Sequence, residues 1–166
     1  MDKNPILKFI DRLPFFQEFS TDEKSKLVEA NGVFEKYKNG KDIIIEGESG
    51  SALFIILTGT VRITKSSDTK VLKPHVSLME SNQTILAELK GGAIFGEISL
   101  ISDSPRNTSA YASSSEVILM RITKKAIESF DLTIQKKFHT QLIKVLIQRL
   151  DDMNSKYISL KVNTEK

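Results

Sequence analysis

Residues 95–112 have the sequence FGEISLISDSPRNTSAYA, and this stretch decides how the rest of the chain is interpreted. Its pattern predicts a strand end, a glycine turn, one or two turns of helix, a Pro-Arg corner and a new strand. Gly96 lets the backbone approach a ligand closely and take a conformation closed to other residues. The amides from Glu97 to Ser99 would open a helix and have no intrahelical acceptor. An anion satisfies such amides, so the stretch predicts an anion site.

A cation follows the glycine at a distance of ten residues. Arg106 comes directly after Pro105 and is followed by the polar residues Asn107 and Thr108. A guanidinium pairs well with two phosphate oxygens. One helix start and one arginine, with no lysine or metal ligand beside them, suit a phosphodiester with a single charge better than a triphosphate.

Glu97 places a further requirement on the ligand. A carboxylate beside an anion site is unexpected unless the ligand also offers a hydrogen-bond donor, and a ribose 2′-hydroxyl is such a donor. The expected ligand therefore carries both a phosphate and a free ribose hydroxyl. Two simpler interpretations stay open: Glu97 as a first-turn acid favoured by the helix dipole, and Arg106 as a surface arginine after a turn proline.

The motif formed by residues 95–100 (FGEISL) and Pro105-Arg106 resembles the phosphate-binding cassette of the cyclic nucleotide-binding domain family. That family includes regulatory subunits of cyclic-AMP-dependent kinase, cyclic-nucleotide-gated channels and the bacterial catabolite activator protein. The resemblance extends over most of residues 13–160, including the turns EGESG at 46–50 and LTG at 57–59.

The resemblance also implies roles for individual residues. Glu97 would hold the ribose 2′-hydroxyl, and Arg106 would hold the cyclic phosphate together with backbone amides. In the family, a threonine directly after the arginine often accompanies a preference for cyclic GMP, but here Asn107 takes that place. Cyclic AMP is therefore expected rather than cyclic GMP. The implied ligand-binding residues are Phe95, Gly96, Glu97, Ile98, Ser99, Arg106, Asn107 and Thr108, with the amides of Ile98, Ser99 and Asn107 on the phosphate.

Length and composition limit the class of protein. A chain of 166 residues with 40% apolar residues predicts one domain with a full core. No apolar run approaches the roughly 20 residues of a membrane helix, and the N-terminus lacks a signal-peptide pattern, so a cytoplasmic location is expected. The net charge of +3 indicates a solvated lysine surface.

The sequence gives no support for catalysis or for a bound metal or cofactor. The chain has no cysteine, which excludes disulfides, thiolate catalysis and cysteine-ligated zinc. His75 and His139 are the only histidines, too few for a metal-dependent barrel enzyme. Neither G-x-S-x-G nor a phosphate loop with G-K-[ST] occurs.

Short apolar segments between turns begin at Val33 and predict an antiparallel sandwich or barrel. The expected fold class is mainly β with flanking helices, that is, an antiparallel, jelly-roll-like β-roll. A single domain would comprise N-terminal helices at 1–32, the roll at 33–122 with the cassette at 95–109, and C-terminal helices at 123–166. Residues 20–23 form a capping box, Asn39-Gly40 indicates a hairpin, and residues 65–83 read as a surface insertion with a short strand at 76–79.

A long helix is expected from about residue 132 to 160, with two apolar stripes. One stripe, Phe138, Leu142 and Val145, would pack on the β core. The other has intervals of three and four residues, which is a heptad seam. Either this helix lies along its own domain, or it also forms a homodimer. The seam residues are Ile143, Leu146, Leu150, Met153, Tyr157 and Leu160.

The function that these patterns favour is a stand-alone cyclic-nucleotide sensor whose long C-terminal helix moves on binding. The purine would lie against residues 142–153, and the protein effector is unknown. The alternatives are an interaction or dimerisation module with an idle pocket, or a ligand-sensing fragment of a transcription regulator. Only residues 161–166 follow the helix, too few for a helix-turn-helix, so DNA binding through this chain is not expected, nor is membrane binding.

Overall fold

The computed structural model describes residues 3–31, 33–66 and 83–164. Within these residues eight strands and five α-helices form, with a short 3-10 helix at Pro14–Phe16. The strands are β1 (Val33–Lys38), β2 (Asp42–Ile44), β3 (Ala52–Thr58), β4 (Thr60–Ser66), β5 (Gln83–Lys90), β6 (Ile94–Phe95), β7 (Ser109–Ala112) and β8 (Glu116–Thr123). The helices are α1 (Lys3–Ile10), α2 (Thr21–Asn31), α3 (Glu97–Ser102), α4 (Lys124–Glu128) and α5 (Leu132–Thr164).

The strands form two antiparallel sheets, in the orders β1-β8-β3-β6 and β2-β7-β4-β5. Their inner faces enclose one core, which includes Ile44, Phe54, Val61 and Leu119. Alternation along each strand sends apolar side chains to this interior and leaves the opposite face for other contacts. The predicted mainly β architecture with flanking helices is therefore present.

A second core lies between the β1-β8-β3-β6 sheet and the helices. Phe138 and Leu142 of α5 are fully buried there with Leu53 and Met120 of the sheet. The ring of Phe138 lies 5.0 Å from that of Phe15. The predicted core stripe of the long helix is confirmed, and it also joins α5 to the N-terminal helices.

The N-terminal capping box is confirmed. The Ser20 amide donates to the carboxylate of Glu23 at 2.7 Å, and the Glu23 amide donates to the Ser20 hydroxyl at 3.2 Å. This reciprocal pair satisfies two amides at the start of α2.

The predicted hairpin at Asn39-Gly40 is wrong. The chain does turn there, but β1 pairs with β8 and β2 pairs with β7. The turn is held by β7 instead, because the Gly40 amide donates to the carbonyl of Ala112 and the Ala112 amide donates to that of Lys41. The predicted strand at 76–79, and His75, lie outside the described residues.

Candidate anion-binding site

The start of the cassette has the predicted order of strand, glycine and helix. β6 ends at Phe95, Gly96 has φ 78°, and α3 begins at Glu97. This left-handed conformation favours glycine, so the residue type follows from the turn. The ring of Phe95 stacks on Phe54 with centroids 5.2 Å apart and is buried, which leaves only its backbone for a ligand.

Arg106 is a buried cation whose side chain lies under the cassette. Its Nη1 donates to the carbonyl of Gly96 and its Nη2 to that of Ala52, both at 2.8 Å, and the residue is only 7% exposed. Among the described residues, no carboxylate lies within ion-pair distance of this guanidinium. Burial lowers the pKa of Arg106, the Arg121 charge lowers it further, and the Glu97 carboxylate opposes them. An arginine nevertheless remains protonated, so a positive charge is buried here with no described carboxylate close enough to form an ion pair with it.

The glycine at position 50 makes room for this guanidinium. A Cβ atom built on Gly50 would lie 2.5 Å from Nε and 2.9 Å from Cζ of Arg106. Both distances are far below van der Waals contact. The turn at residues 47–50 therefore packs its backbone directly against the cation.

The same turn holds the backbone of the Pro-Arg corner. The Gly47 amide donates to the carbonyl of Arg106 at 2.8 Å, and the Arg106 amide donates to that of Glu48 at 2.9 Å. These two bonds set where the arginine side chain begins. The EGESG turn was singled out in the sequence for its resemblance alone, and the structure places it against the corner.

Glu97 is the most enclosed acid of the cassette, at 1% exposure. Its Oε1 accepts a hydrogen bond from Arg149 of α5, which also donates to the carbonyl of Ile94. No described residue donates to Oε2 of Glu97. The buried acid is therefore paired on one oxygen, and α5 is attached to the cassette at this point.

Arg149 was not predicted, although a signal for it exists in the sequence. The core stripe of α5 runs through Leu142 and Val145, and Arg149 continues the same helical face. A charge that extends an apolar stripe requires a polar partner where it is buried. Lys65 was not predicted near the cassette either, and its Nζ donates to the carbonyl of Asn107 at 2.6 Å.

The remaining candidates differ in accessibility. Ile98 and Asn107 are exposed, Thr108 is half-buried, and Ser99 is buried. An exposed or backbone group can meet a ligand without rearrangement, whereas the Ser99 side chain contributes to packing.

A polar cavity of about 300 Å³ lies beside Arg106, and its lining includes Tyr37, Ser49 and Arg121 but not Glu97. The cavity is therefore bordered by Arg106 but not by Glu97. Elsewhere in residues 3–31, 33–66 and 83–164, no group of three or more acids or histidines is placed to bind a metal. No helix in those ranges has the length and apolar character to cross a bilayer.

Comparison with known proteins gives a consistent result. The family model described as "Cyclic nucleotide-binding domain" matches residues 34–131, more than half of the chain. The cAMP-dependent protein kinase regulatory subunit of Mycosarcoma maydis is 27% identical over 124 residues, which cover 74% of this chain and 21% of that protein. The human cGMP-dependent protein kinase 2 is 29% identical over 126 residues, covering 76% of this chain and 15% of that kinase.

Among solved structures, a cyclic nucleotide-binding domain from Methylobacillus flagellatus KT superposes with a TM-score of 0.72. It is 22% identical, and the match covers 93% of this chain and 82% of that one. At this identity the likeness shows the fold alone. The chain spans about a fifth or less of the length of the two curated relatives, so their whole-protein activities do not carry over.

Proposed function

This chain belongs to the cyclic nucleotide-binding domain family, and on that premise we propose that it is a sensor that binds a cyclic nucleotide without transforming it. The observation that carries the proposal is the buried guanidinium of Arg106, which has no carboxylate partner among the described residues. Burying a charge is costly unless an opposite charge compensates it. The singly charged phosphate of a cyclic nucleotide would supply that charge.

The cassette offers a matching set of contacts. Arg106 and the amides of Ile98, Ser99 and Asn107 would hold the cyclic phosphate. The Oε2 atom of Glu97, to which no described residue donates a hydrogen bond, would accept one from the ribose 2′-hydroxyl. Cyclic AMP is the favoured ligand because Asn107 replaces the threonine that accompanies cyclic-GMP preference.

α5 is the element through which binding would be transmitted. Arg149 and a ribose can share the Glu97 carboxylate, because each would use a different oxygen. Of the helix residues expected to cover the purine, Leu142 is buried in the core and is excluded. Met153 lies one turn beyond Arg149 on the same face and is 64% exposed, so we assign the base contact to it. A ligand that touches both cassette and helix shifts the population of helix positions.

A ligand screen tests the proposal. Thermal unfolding is measured with cyclic AMP, cyclic GMP, their 5′-monophosphates and the two nucleosides, and any hit is quantified by calorimetry. We expect a cyclic nucleotide to raise the melting temperature, because a ligand that binds only the folded state stabilises it. Arg106→Met should weaken binding by about 2–4 kcal/mol. The matched control is Arg62→Met, which changes an exposed arginine that lies outside the cassette.

A second candidate is an interaction module with an idle pocket. It is supported by the apolar seam on α5, where Ile143, Leu150 and Met153 are each more than half exposed. A homodimer through this seam is compatible with both candidates. A wild-type chain that dimerises but responds to none of the six compounds would favour the module, and equal binding by wild type and Arg106→Met would remove the assigned role of that arginine.

A further inference from the structure

Two side chains of opposite charge meet beside the Pro-Arg corner. Glu46 comes from the turn after β2, and Lys65 comes from the end of β4. Their Oε1 and Nζ atoms lie 2.8 Å apart. The second carboxylate oxygen of Glu46 accepts from the Ser66 amide at 2.9 Å. The pair thus joins two separate segments of one sheet.

The ammonium of Lys65 makes a further bond to the segment that leads into β7, the strand between β2 and β4. Its Nζ donates to the carbonyl of Asn107 at 2.6 Å. On the other side, the Glu46 amide donates to the hydroxyl of Ser109 at 2.9 Å. Residues 107–109 are therefore held from both neighbours at the point where the cassette ends.

Two hydrogen bonds to carbonyl groups set the direction of the amides after Arg106, one donated by the Gly47 amide and the other by Lys65. The peptides are trans, so each N–H points opposite to the carbonyl of the preceding residue. Because Gly47 holds the carbonyl of Arg106, the Asn107 amide points away from that turn. Because Lys65 holds the carbonyl of Asn107, the Thr108 amide points away from Nζ. Both peptide units after the arginine are thus oriented in the absence of a ligand.

We infer that Glu46 and Lys65 form a positioning pair that prepares the Asn107–Thr108 backbone for the phosphate of a cyclic nucleotide, an inference that rests on the proposed function. The pair acts through the peptide and needs no contact with the ligand. Pre-orienting a binding group lowers the cost of ordering it on association. Glu46 also neutralises the ammonium, so the pair adds geometry without a second net positive charge, as a singly charged ligand requires.

An ordinary surface ion pair is the competing explanation, and the same strand provides a comparison. Arg62 of β4 pairs with Glu88 of β5 at 3.1 Å, with side chains 40% and 45% exposed. Lys65 and Glu46 are 49% and 19% exposed. Of these two pairs on β4, only the Lys65–Glu46 pair contacts the cassette, through the carbonyl of Asn107. Exposed pairs of this kind contribute little to the stability of the fold. Removing Lys65 should therefore lower the affinity for a cyclic nucleotide without lowering the melting temperature.

Calorimetry with cyclic AMP and cyclic GMP on four variants of the 166-residue chain tests the inference. We expect Lys65→Met to weaken binding about tenfold, since one of the bonds that pre-orient the site is lost. Lys65→Arg, which keeps a donor and the charge, should stay within about threefold of wild type. Glu46→Gln should weaken binding about threefold, and the control Arg62→Met should not change it.

A second readout does not depend on a ligand. The NMR resonance of the Thr108 amide in the free protein should shift in Lys65→Met, should return toward its wild-type position in Lys65→Arg and should not move in Arg62→Met, with equal melting temperatures. If wild type binds and Lys65→Met binds equally well, or if the Thr108 amide resonance is unchanged in Lys65→Met, this inference is overturned alone. If wild type binds neither compound, the proposed function and the inference fall together. Should Lys65→Met fail to fold, Glu46→Gln and Lys65→Arg decide by the same two measurements.

Discussion

Arg149 and Glu97 form an ion pair across 52 residues of sequence, with the carboxylate 1% exposed and the guanidinium 38% exposed. The pair connects the first residue of α3 to the middle of α5. Glu97, which we propose holds the ribose, is therefore bonded directly to α5, the helix that we propose moves. A displacement of α5 at Arg149 would therefore alter the Glu97 carboxylate, and a ligand on Glu97 would alter the position of Arg149.

Replacing Arg149 with methionine should destabilise the folded chain. The substitution leaves the Glu97 carboxylate buried without its partner, which costs about 3–5 kcal/mol for a fully buried pair. Because the arginine is more than a third exposed, solvent screening reduces the expected loss to about 1–2 kcal/mol. Urea unfolding at pH 7 measures it. The double variant Arg149→Met/Glu97→Gln should recover part of the loss, and a double variant as unstable as the sum of both singles would contradict the pairing.

Gly50→Ala should disable the site while leaving the fold intact. The new methyl group would lie within 3 Å of three atoms of the Arg106 guanidinium, so the guanidinium must leave its position under the cassette, and the polar cavity beside it gives it space to do so. We expect cyclic-nucleotide affinity to fall by at least about tenfold, the effect of losing one charge-assisted contact. Calorimetry measures the affinity, and circular dichroism verifies the fold.

Gly91→Ala is the matched control for that experiment. A Cβ atom on Gly91 would have its nearest neighbour at 3.6 Å, an ordinary contact. Neither glycine has a positive φ, so backbone strain does not distinguish them. Equal affinities in the two variants would show that Arg106 tolerates displacement.

The parts of the site that were predictable are those that local chemistry determines. Gly96 indicates a positive φ, and Pro105-Arg106 indicates a turn that carries a cation. The cassette could therefore be recognised from a dozen consecutive residues. The capping box at Ser20 and Glu23 is local in the same way. In each case the pattern lies within one short stretch of consecutive residues.

The parts that were missed depend on partners distant in sequence. Arg149 reaches Glu97 only because α5 docks with one particular rotation, and Lys65 reaches Asn107 only because β4 lies beside β7. The Asn39-Gly40 turn shows the same limit, since its residues predict a reversal but not which strand will follow as neighbour. Which strands pair in a sheet depends on how whole apolar faces pack together. A short motif such as Asn39-Gly40 carries no information about that packing.

Acid should weaken the contact between α2 and α5. The hydrogen bonds from Lys137, at 2.8 Å to each carboxylate oxygen, are the main reason why the pKa of Glu23 lies below its ordinary value of 4.5. Burial opposes this shift and the Ser20 amide adds to it. A depressed pKa means that the stabilisation is present above about pH 4.5 and is lost as the pH falls through the folded value.

Urea unfolding at pH 7 and at pH 3 therefore distinguishes wild type from Glu23→Gln. The variant should be less stable than wild type at pH 7 and should lose less stability on acidification. Glu128→Gln, an exposed acid on α4, serves as the control and should follow the wild-type curve. If wild type and Glu23→Gln lose the same free energy of unfolding between pH 7 and pH 3, the Glu23 carboxylate does not contribute to the acid sensitivity.

The seam on α5 should hold two copies of the chain together. Leu150, Met153 and Tyr157 are more than half exposed, with Leu150 and Tyr157 one heptad apart. We expect light scattering to give twice the chain mass for wild type and a single chain mass for Leu150→Asp. Ser155→Asp, exposed on the same half of the helix but off the seam, should leave the dimer intact. A monomeric wild type would show that the stripe has another purpose.

Because α5 extends far beyond Arg149, a small tilt of the helix at that residue would displace its C-terminal end by several ångströms. Fifteen residues separate Arg149 from Thr164, and at 1.5 Å per residue the helix end stands about 22 Å from that contact. A tilt of about 10° around Arg149 would carry the tip through about 4 Å, enough to bring a side chain into or out of van der Waals range. If the proposed helix movement occurs, α5 would act as a lever with the Arg149–Glu97 ion pair as its pivot, and a bound nucleotide would then change a surface far from its own binding site.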